Sequence, residues 1–193
     1  TFQTLPQDLT LGRGESGEVV LRQQFAPELQ VLRQGAAGLA SSKHFEVVGS
    51  IKPPARRLTG NAGGCANCGY ITVLNHTRIG VDFDAGLAFI DTTEQTLASF
   101  LNAGVRAGPA FGNLSQPVPF HAIVDASIVA AVFGNRTSLT VSVTPGQHDG
   151  GLQPGPGAEV SGSWVLAAAN VNSQRTPQAP WLLPRVHNIP PCL

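Results

Sequence analysis

Three aspartates, Asp82, Asp91 and Asp125, fall at or near the ends of segments that alternate like strands. A carboxylate placed there can accept hydrogen bonds from sugar hydroxyls. It can equally bond its own backbone just past the strand, which is the commoner fate of such an aspartate. Trp164 and Trp181 could stack on a sugar ring through an apolar face and a polar edge. Trp164 lies in a strand-like run, where a tryptophan is more often core. Trp181 lies in a Pro-rich tail, where it reads as a plug over the body. Asp82, Asp91, Asp125 and Trp164 are the candidate carbohydrate contacts.

The remaining reactive residue types form no catalytic pattern. Cys65-Ala66-Asn67-Cys68 has no second CxxC beside it and no βαβ pattern around it, so neither a zinc knuckle nor a thioredoxin-like site is expected. The histidines His44, His76, His121, His148 and His187 show no metal-ligand spacing such as HExxH. No GxSxG elbow is present. The glycines from Gly60 to Gly64 do not open a helix after a strand, so they are loop rather than phosphate cradle. No catalytic residue, metal or cofactor is expected. In an oxidising compartment the three cysteines form disulfides. Cys192 paired with Cys65 or Cys68 would staple the tail to the body. A Cys65–Cys68 bond would leave Cys192 for a disulfide-linked second chain. Sequence admits both.

Three N-glycosylation sequons stand at expected turns or loops: Asn75-His76-Thr77, Asn113-Leu114-Ser115 and Asn135-Arg136-Thr137. The charged share is only 12%, with 12 basic and 12 acidic residues. Ordinary chains carry roughly 25%. A neutral surface excludes the basic field that nucleic acid or an anionic membrane requires. No apolar run approaches a membrane span. The start at Thr1 fits a processed chain, and sequons with low charge point to a secreted glycoprotein. Its expected partner is a carbohydrate or a cell-surface glycoprotein.

The elements that would position these residues are strands. From Ser138 to Thr144, Ser138, Thr140, Ser142 and Thr144 alternate with Leu139, Val141 and Val143, so one face is buried and the other wet. Ile128 to Phe133 is almost wholly apolar and reads as covered on both faces. Gly134-Asn135 between them suits a two-residue hairpin turn. Another strand precedes them, turning near Asp125-Ala126. A second meander runs from Gly69 to Leu74, Thr77 to Phe83 and Leu87 to Asp91, with Asn75-His76 as its first turn. Residues 5–12, 18–22 and 43–51 read as strands, and 27–33 as a partly extended segment. Residues 94–103 have weak helical spacing, and an irregular loop is slightly favoured. Residues 104–118 and 146–157 read as loops, and 158–171 as the closing strand. The fold class is therefore all-β, a two-layer antiparallel sandwich of jelly-roll or concanavalin-like type over residues 1–171. Residues 172–193 form a Pro-rich C-terminal strap.

Four segments in this order resemble the C-terminal β-sandwich of glycoside hydrolase family 32, the invertases, inulinases and levanases. They are LPQDLTLG with PELQVLR, TRIGVDFDAGLAFIDTT, FHAIVDASIVAAVFGNRTSLTVSVTP and GSWVLAAANV. The resemblance covers roughly residues 4–171 and implies a sandwich that follows a catalytic propeller. The family's Asn-Asp-Pro, Glu-Cys and Arg-Asp-Pro motifs do not occur here, so the resemblance implies no catalysis. Thr92 stands where the family has Arg, and Ala130 where it has Glu. A related sandwich family binds fructans through charged side chains. The resemblance therefore implies an accessory module with weakened or absent fructan contacts. The rival expectation is a C-terminal structural domain that buttresses the propeller of a larger fructosidase.

Overall fold

The computed structural model describes residues 5–14, 16–36, 42–55, 65–94 and 104–167. The strap at 172–193, Trp181, Cys192 and nearly all of the 94–103 segment lie outside the described residues.

The described strands form three antiparallel sheets. A hairpin pairs β1 (Gln7–Arg13) with β2 (Val19–Phe25). The six-stranded sheet contains β3 (Arg33–Ala36), β4 (His44–Ile51), β9 (Val118–Asp125), β10 (Ile128–Phe133), β11 (Thr137–Ser142) and β13 (Ala158–Leu166), in the order β11-β10-β9-β4-β13-β3. The five-stranded sheet contains β5 (Cys68–Val73), β6 (Thr77–Asp82), β7 (Leu87–Asp91), β8 (Val105–Pro109) and β12 (Leu152–Pro154), in the order β12-β5-β6-β7-β8.

Alternate residues of the two large sheets meet in the main core. Val47, Phe120 and Phe133 from one sheet pack in the same cluster as Ile71, Ile79 and Ile90 from the other. Each such side chain contributes roughly 1.5–3 kcal/mol on burial. A second, smaller cluster lies on the far face of the six-stranded sheet. There Ile123, Ala130, Val132 and Leu166 are covered by Phe25 from β2, with Leu5 and Leu29 packed against them. The apolar Ile128–Phe133 run thus feeds both clusters. Val129, Ala131 and Phe133 face the main core, and Ala130 and Val132 face the second. This is the two-sided cover that its lack of alternation implies.

Both meanders are present, but their turns are longer than two residues. Phe133 pairs with Thr137, leaving Gly134, Asn135 and Arg136 in the loop. Gly134 and Asn135 both have φ of 55°, so the corner falls where the sequence puts it, and Arg136 is the extra residue. Between β5 and β6, Val73 pairs with Thr77. The corner there is Leu74-Asn75, with φ of 50° and 62°, one residue earlier than expected. Leu74 is 2% exposed, and its N–H donates to Gly151 O at 3.0 Å. Core burial and that bond hold a leucine in a conformation local preference disfavours.

Three segments differ from their reading in sequence. Pro27–Leu32 is a 3-10 helix, not an extended piece, with Pro27 at its first turn, where a missing N–H costs nothing. Val105–Pro109 is a strand inside the expected 104–118 loop. It is an edge strand whose side chains are mostly exposed, so no alternation marks it. Leu152–Pro154 is a short edge strand inside the expected 146–157 loop. An edge tolerates Pro154, which has no N–H to donate. The closing strand runs to Leu166, and residues 168–171 of its expected span lie outside the described residues. Cys65 is disulfide-bonded to Cys68, with a Cα separation of 5.7 Å. The described cysteines therefore take the pairing that does not use Cys192.

Candidate functional site

The outward face of the five-stranded sheet collects two of the four candidate contacts. In β6, Ile79 and Val81 point into the core, so Arg78, Gly80 and Asp82 point out. Arg78 pairs with Asp91 on β7 and with Thr72 on β5. One step along, Gly80 lies between Tyr70 and Phe89. A further step brings Asp82 opposite Cys68 and Leu87. An aromatic row thus crosses the sheet, with one carboxylate beyond each side of it. At the Asp91 end, the Arg78 guanidinium lies 5.4 Å over the Tyr70 ring and pairs with Glu94 at 2.6 Å.

Both aspartates also perform turn chemistry. Asp82 Oδ1 accepts from the N–H groups of Asp84 and Ala85, at 3.0 and 2.9 Å. Asp91 Oδ1 accepts from Thr93 N at 2.9 Å and Thr93 Oγ1 at 2.7 Å. These bonds fix each carboxylate in place and leave it acceptor capacity, Asp82 half-buried and Asp91 reaching the surface with only 8% of its area. Asp82 also lies near the bonded cysteines, and ligand atoms of Cys65, Cys68 and Asp82 fall within 4.8 Å of one another. The disulfide leaves no thiolate there, so this trio offers no metal set.

The aromatic row depends on Gly80. A Cβ at this position would stand 2.4 Å from Gly69 O and 2.7 Å from both the Phe89 ring and Tyr70 Cβ. Gly80→Ala should therefore push the rings apart and lower stability by about 1–3 kcal/mol. Tyr70 is the only tyrosine, so its ring resonances report the displacement directly. A variant with unchanged Tyr70 shifts and melting temperature would contradict the tight row.

The other two candidates lie on the six-stranded sheet and do not join this face. Asp125 ends β9 and accepts from His44 Nδ1 at 2.7 Å. Trp164 stands opposite Glu46 on the far face of that sheet. The Arg33 guanidinium covers the indole at 4.0 Å, and the ring leans over Gly162. Trp164 is thus a packing partner of an arginine rather than an open stacking platform.

Beside Trp164 lies a charged cluster that the sequence reading did not include. Glu46 is 2% exposed. Its two oxygens accept from Arg33 Nε and Nη2, both at 2.6 Å. Glu46 Oε1 also accepts from His121 Nε2 at 2.6 Å. The His121 ring meets Phe25 edge-on at 4.8 Å. Burial opposes ionisation of Glu46, but the hydrogen bonds from Arg33 and His121 overcome it and hold the carboxyl at about 2. All of its strong partners are supplied from within the fold. The cluster reads as a clamp joining β3, β4 and β9.

The two positions that depart from the family pattern are both buried. Thr92 is 1% exposed, and its Oγ1 donates to Gly104 O at 3.0 Å. Ala130 is fully buried in the second cluster beneath the hairpin. Neither position presents a side chain to a ligand. Asn75, Asn113 and Asn135 are all exposed at turns or loops.

No family model matches the chain, and no curated protein is similar to it in sequence. Solved structures are similar to it in fold. An exo-inulinase from Aspergillus awamori superposes with a TM-score of 0.67 at 18% identity, over 86% of this chain and 36% of that one. A fructosyltransferase from A. japonicus gives 0.60 at 15% identity, over 86% and 32%. Fructan 1-exohydrolase IIa from Cichorium intybus gives 0.58 at 16% identity, over 82% and 40%. The chain thus has the fold of an antiparallel β-sandwich domain. Its topology is that of the C-terminal sandwich of family 32 fructosidases, and it spans 32–40% of the length of these three chains.

Proposed function

We propose that this sandwich is a secreted, non-catalytic glycoprotein module that binds carbohydrate on the outward face of its five-stranded sheet. The carrying observation is the row Tyr70–Gly80–Phe89 flanked by Asp82 and by Asp91 with Arg78. Rings supply apolar contact to the C–H face of a sugar, and flanking charged groups hydrogen-bond its hydroxyls. The low net charge and the three exposed sequons support an extracellular setting.

Fructans are not the ligand in this reading. Thr92 and Ala130 replace charged residues of the family, and both are buried. Calorimetry with inulin and levan is expected to show no binding tighter than millimolar, and micromolar binding would refute that exclusion. A glycan array should reveal a non-fructan ligand whose binding falls at least tenfold in Asp91→Ala and in Gly80→Ala. No ligand on the array, or a ligand indifferent to both substitutions, would end the carbohydrate reading of this face.

One observation favours a second reading. The β1–β2 hairpin exposes Leu9, Leu11, Val19 and Leu21 together on one face. Such a ribbon suits a buttress packed against another domain. The chain is then the structural C-terminal part of a larger family 32 enzyme. Purification of the native protein with a propeller on the same polypeptide would establish that reading. A native protein with the mass of this chain alone would remove it.

A further inference from the structure

We infer that Asn113 is an N-glycosylation site whose first sugar docks on the ring of Phe111, so that the glycan is part of the folded surface. The inference rests on the secreted-glycoprotein reading and adds a particular residue and an intramolecular contact to it.

The three sequons differ in what precedes the asparagine and in what their hydroxyl residue does. At Asn75 the residue two positions earlier is Val73, fully buried, and Thr77 is fully buried too. At Asn135 the corresponding residue is Phe133, 1% exposed in the core, and the Thr137 hydroxyl is given to Pro109 O. At Asn113 it is Phe111, which is 39% exposed. Gly112 between them has φ of +99°, so the chain turns sharply and can bring the ring and the amide to one side. The turn closes with Gln116 N donating to Asn113 O at 2.9 Å.

The acceptor amide is also prepared. Ser115 N and Ser115 Oγ both donate to Asn113 Oδ1, at 3.0 and 2.5 Å. Bonds to the carbonyl oxygen hold the amide plane, and they leave the nitrogen as its unengaged end in this turn. In the transfer the amide nitrogen attacks the anomeric carbon of an oligosaccharide carried on a polyisoprenyl pyrophosphate. The N–C bond forms, the C–O bond to phosphate breaks, the pyrophosphate lipid leaves, and the amide loses one proton. The product places an N-acetylglucosamine within reach of Phe111.

The ring is supported for that role. Arg136 Cζ lies 4.2 Å from the Phe111 centroid and occupies one face. The remaining exposure of Phe111 offers surface to the sugar. Phe111 and Asn113 border a cleft of about 580 Å³ toward the hairpin, which Asn135 borders as well. This is room for a saccharide on the scale of ordinary ligand sites. The sugar would cover an exposed aromatic surface, as a stacked ring does elsewhere.

The test uses the full chain secreted from a eukaryotic host and trimmed enzymatically to one N-acetylglucosamine per site. Four proteins are compared: wild type, Phe111→Ala, Ser115→Ala and the double variant. Glycopeptide mass spectrometry should find Asn113 occupied in the first two and empty in the others. The sugar should raise the melting temperature by about 2–4 °C in the wild-type background, and by less than 1 °C in the Phe111→Ala background. Ring-current shifts on the sugar protons, present in wild type, give a readout that does not require any variant to fold. Equal sugar-dependent shifts in both backgrounds, or an unoccupied Asn113, overturn the inference. Occupancy at Asn75 or Asn135 with Asn113 empty would leave the glycoprotein reading standing while this one fails. A chain with no sequon occupied fails both.

Discussion

Arg33→Met is expected to destabilise the protein by about 3–5 kcal/mol at pH 7, the range for stranding one member of a buried ion pair. In a domain of this size that corresponds to roughly 6–20 °C in melting temperature. The reason is geometric. Glu46 is buried and receives two of its hydrogen bonds from Arg33. Methionine fills similar volume but leaves the carboxylate with His121 alone. The pH dependence gives the sign independently. The folded pKa of about 2 lies below the ordinary value of 4.5, so the stabilisation is fully present above 4.5. It is lost as pH falls from 4.5 towards 2, because only the unfolded chain takes up the proton in that window. The wild type should lose about 3 kcal/mol there from this residue. Arg33→Met should lose much less, and the two stability curves should converge in acid. Equal slopes below pH 4.5, measured by urea unfolding, would show that the clamp does not hold the carboxylate ionised.

Ala130→Glu is expected to destabilise by a similar amount and to confer no fructan binding. The substitution introduces the residue that the resemblance implies at this place. Here Ala130 is fully buried beside Phe25, Ile123, Val132 and Leu166. A carboxylate has no water to solvate it there, and its desolvation costs several kcal/mol after relaxation. Glu46, Ile123 and Ala130 are successive cross-strand partners on β4, β9 and β10. The new charge would sit two strand spacings, about 10 Å, from an existing carboxylate whose cationic partners are already engaged. The hairpin that covers the cluster should loosen, raising hydrogen exchange in β2. Ala130→Ser serves as the control for polarity without charge, with a loss near 1–2 kcal/mol. If Ala130→Glu melts within two degrees of wild type, the far face of the sheet is open and the hairpin does not seal it.

These two expectations share one physical reason. A sheet face can carry charged contacts or a second hydrophobic layer, but not both at one position. In this chain β2 and the helix after it bring Phe25 and Leu29 over the face. That layer excludes a charge at position 130, and the polar groups of the face are the Arg33–Glu46–His121 clamp and, outside the apolar cluster, pairs such as His44 with Asp125.

The sequence by itself determined the layers. A two-residue period is a local property, and the β9–β10–β11 and β5–β6–β7 meanders follow from it wherever one face is dry. The all-apolar Ile128–Phe133 run was readable as covered twice, and both clusters take residues from it. Edge strands β8 and β12 were not readable, because a strand without a buried face has no alternation to show. Asp82 and Asp91 were recognisable as strand-end acids, yet only the β5–β6–β7 register put them on one face with Tyr70 and Phe89. Trp164 was recognisable as an aromatic on a strand, but its cover by Arg33 was not. Glu46 lies 13 residues from Arg33 and 75 from His121. No spacing rule connects such positions, because a buried charge acquires its partners only when strands distant in sequence are laid side by side.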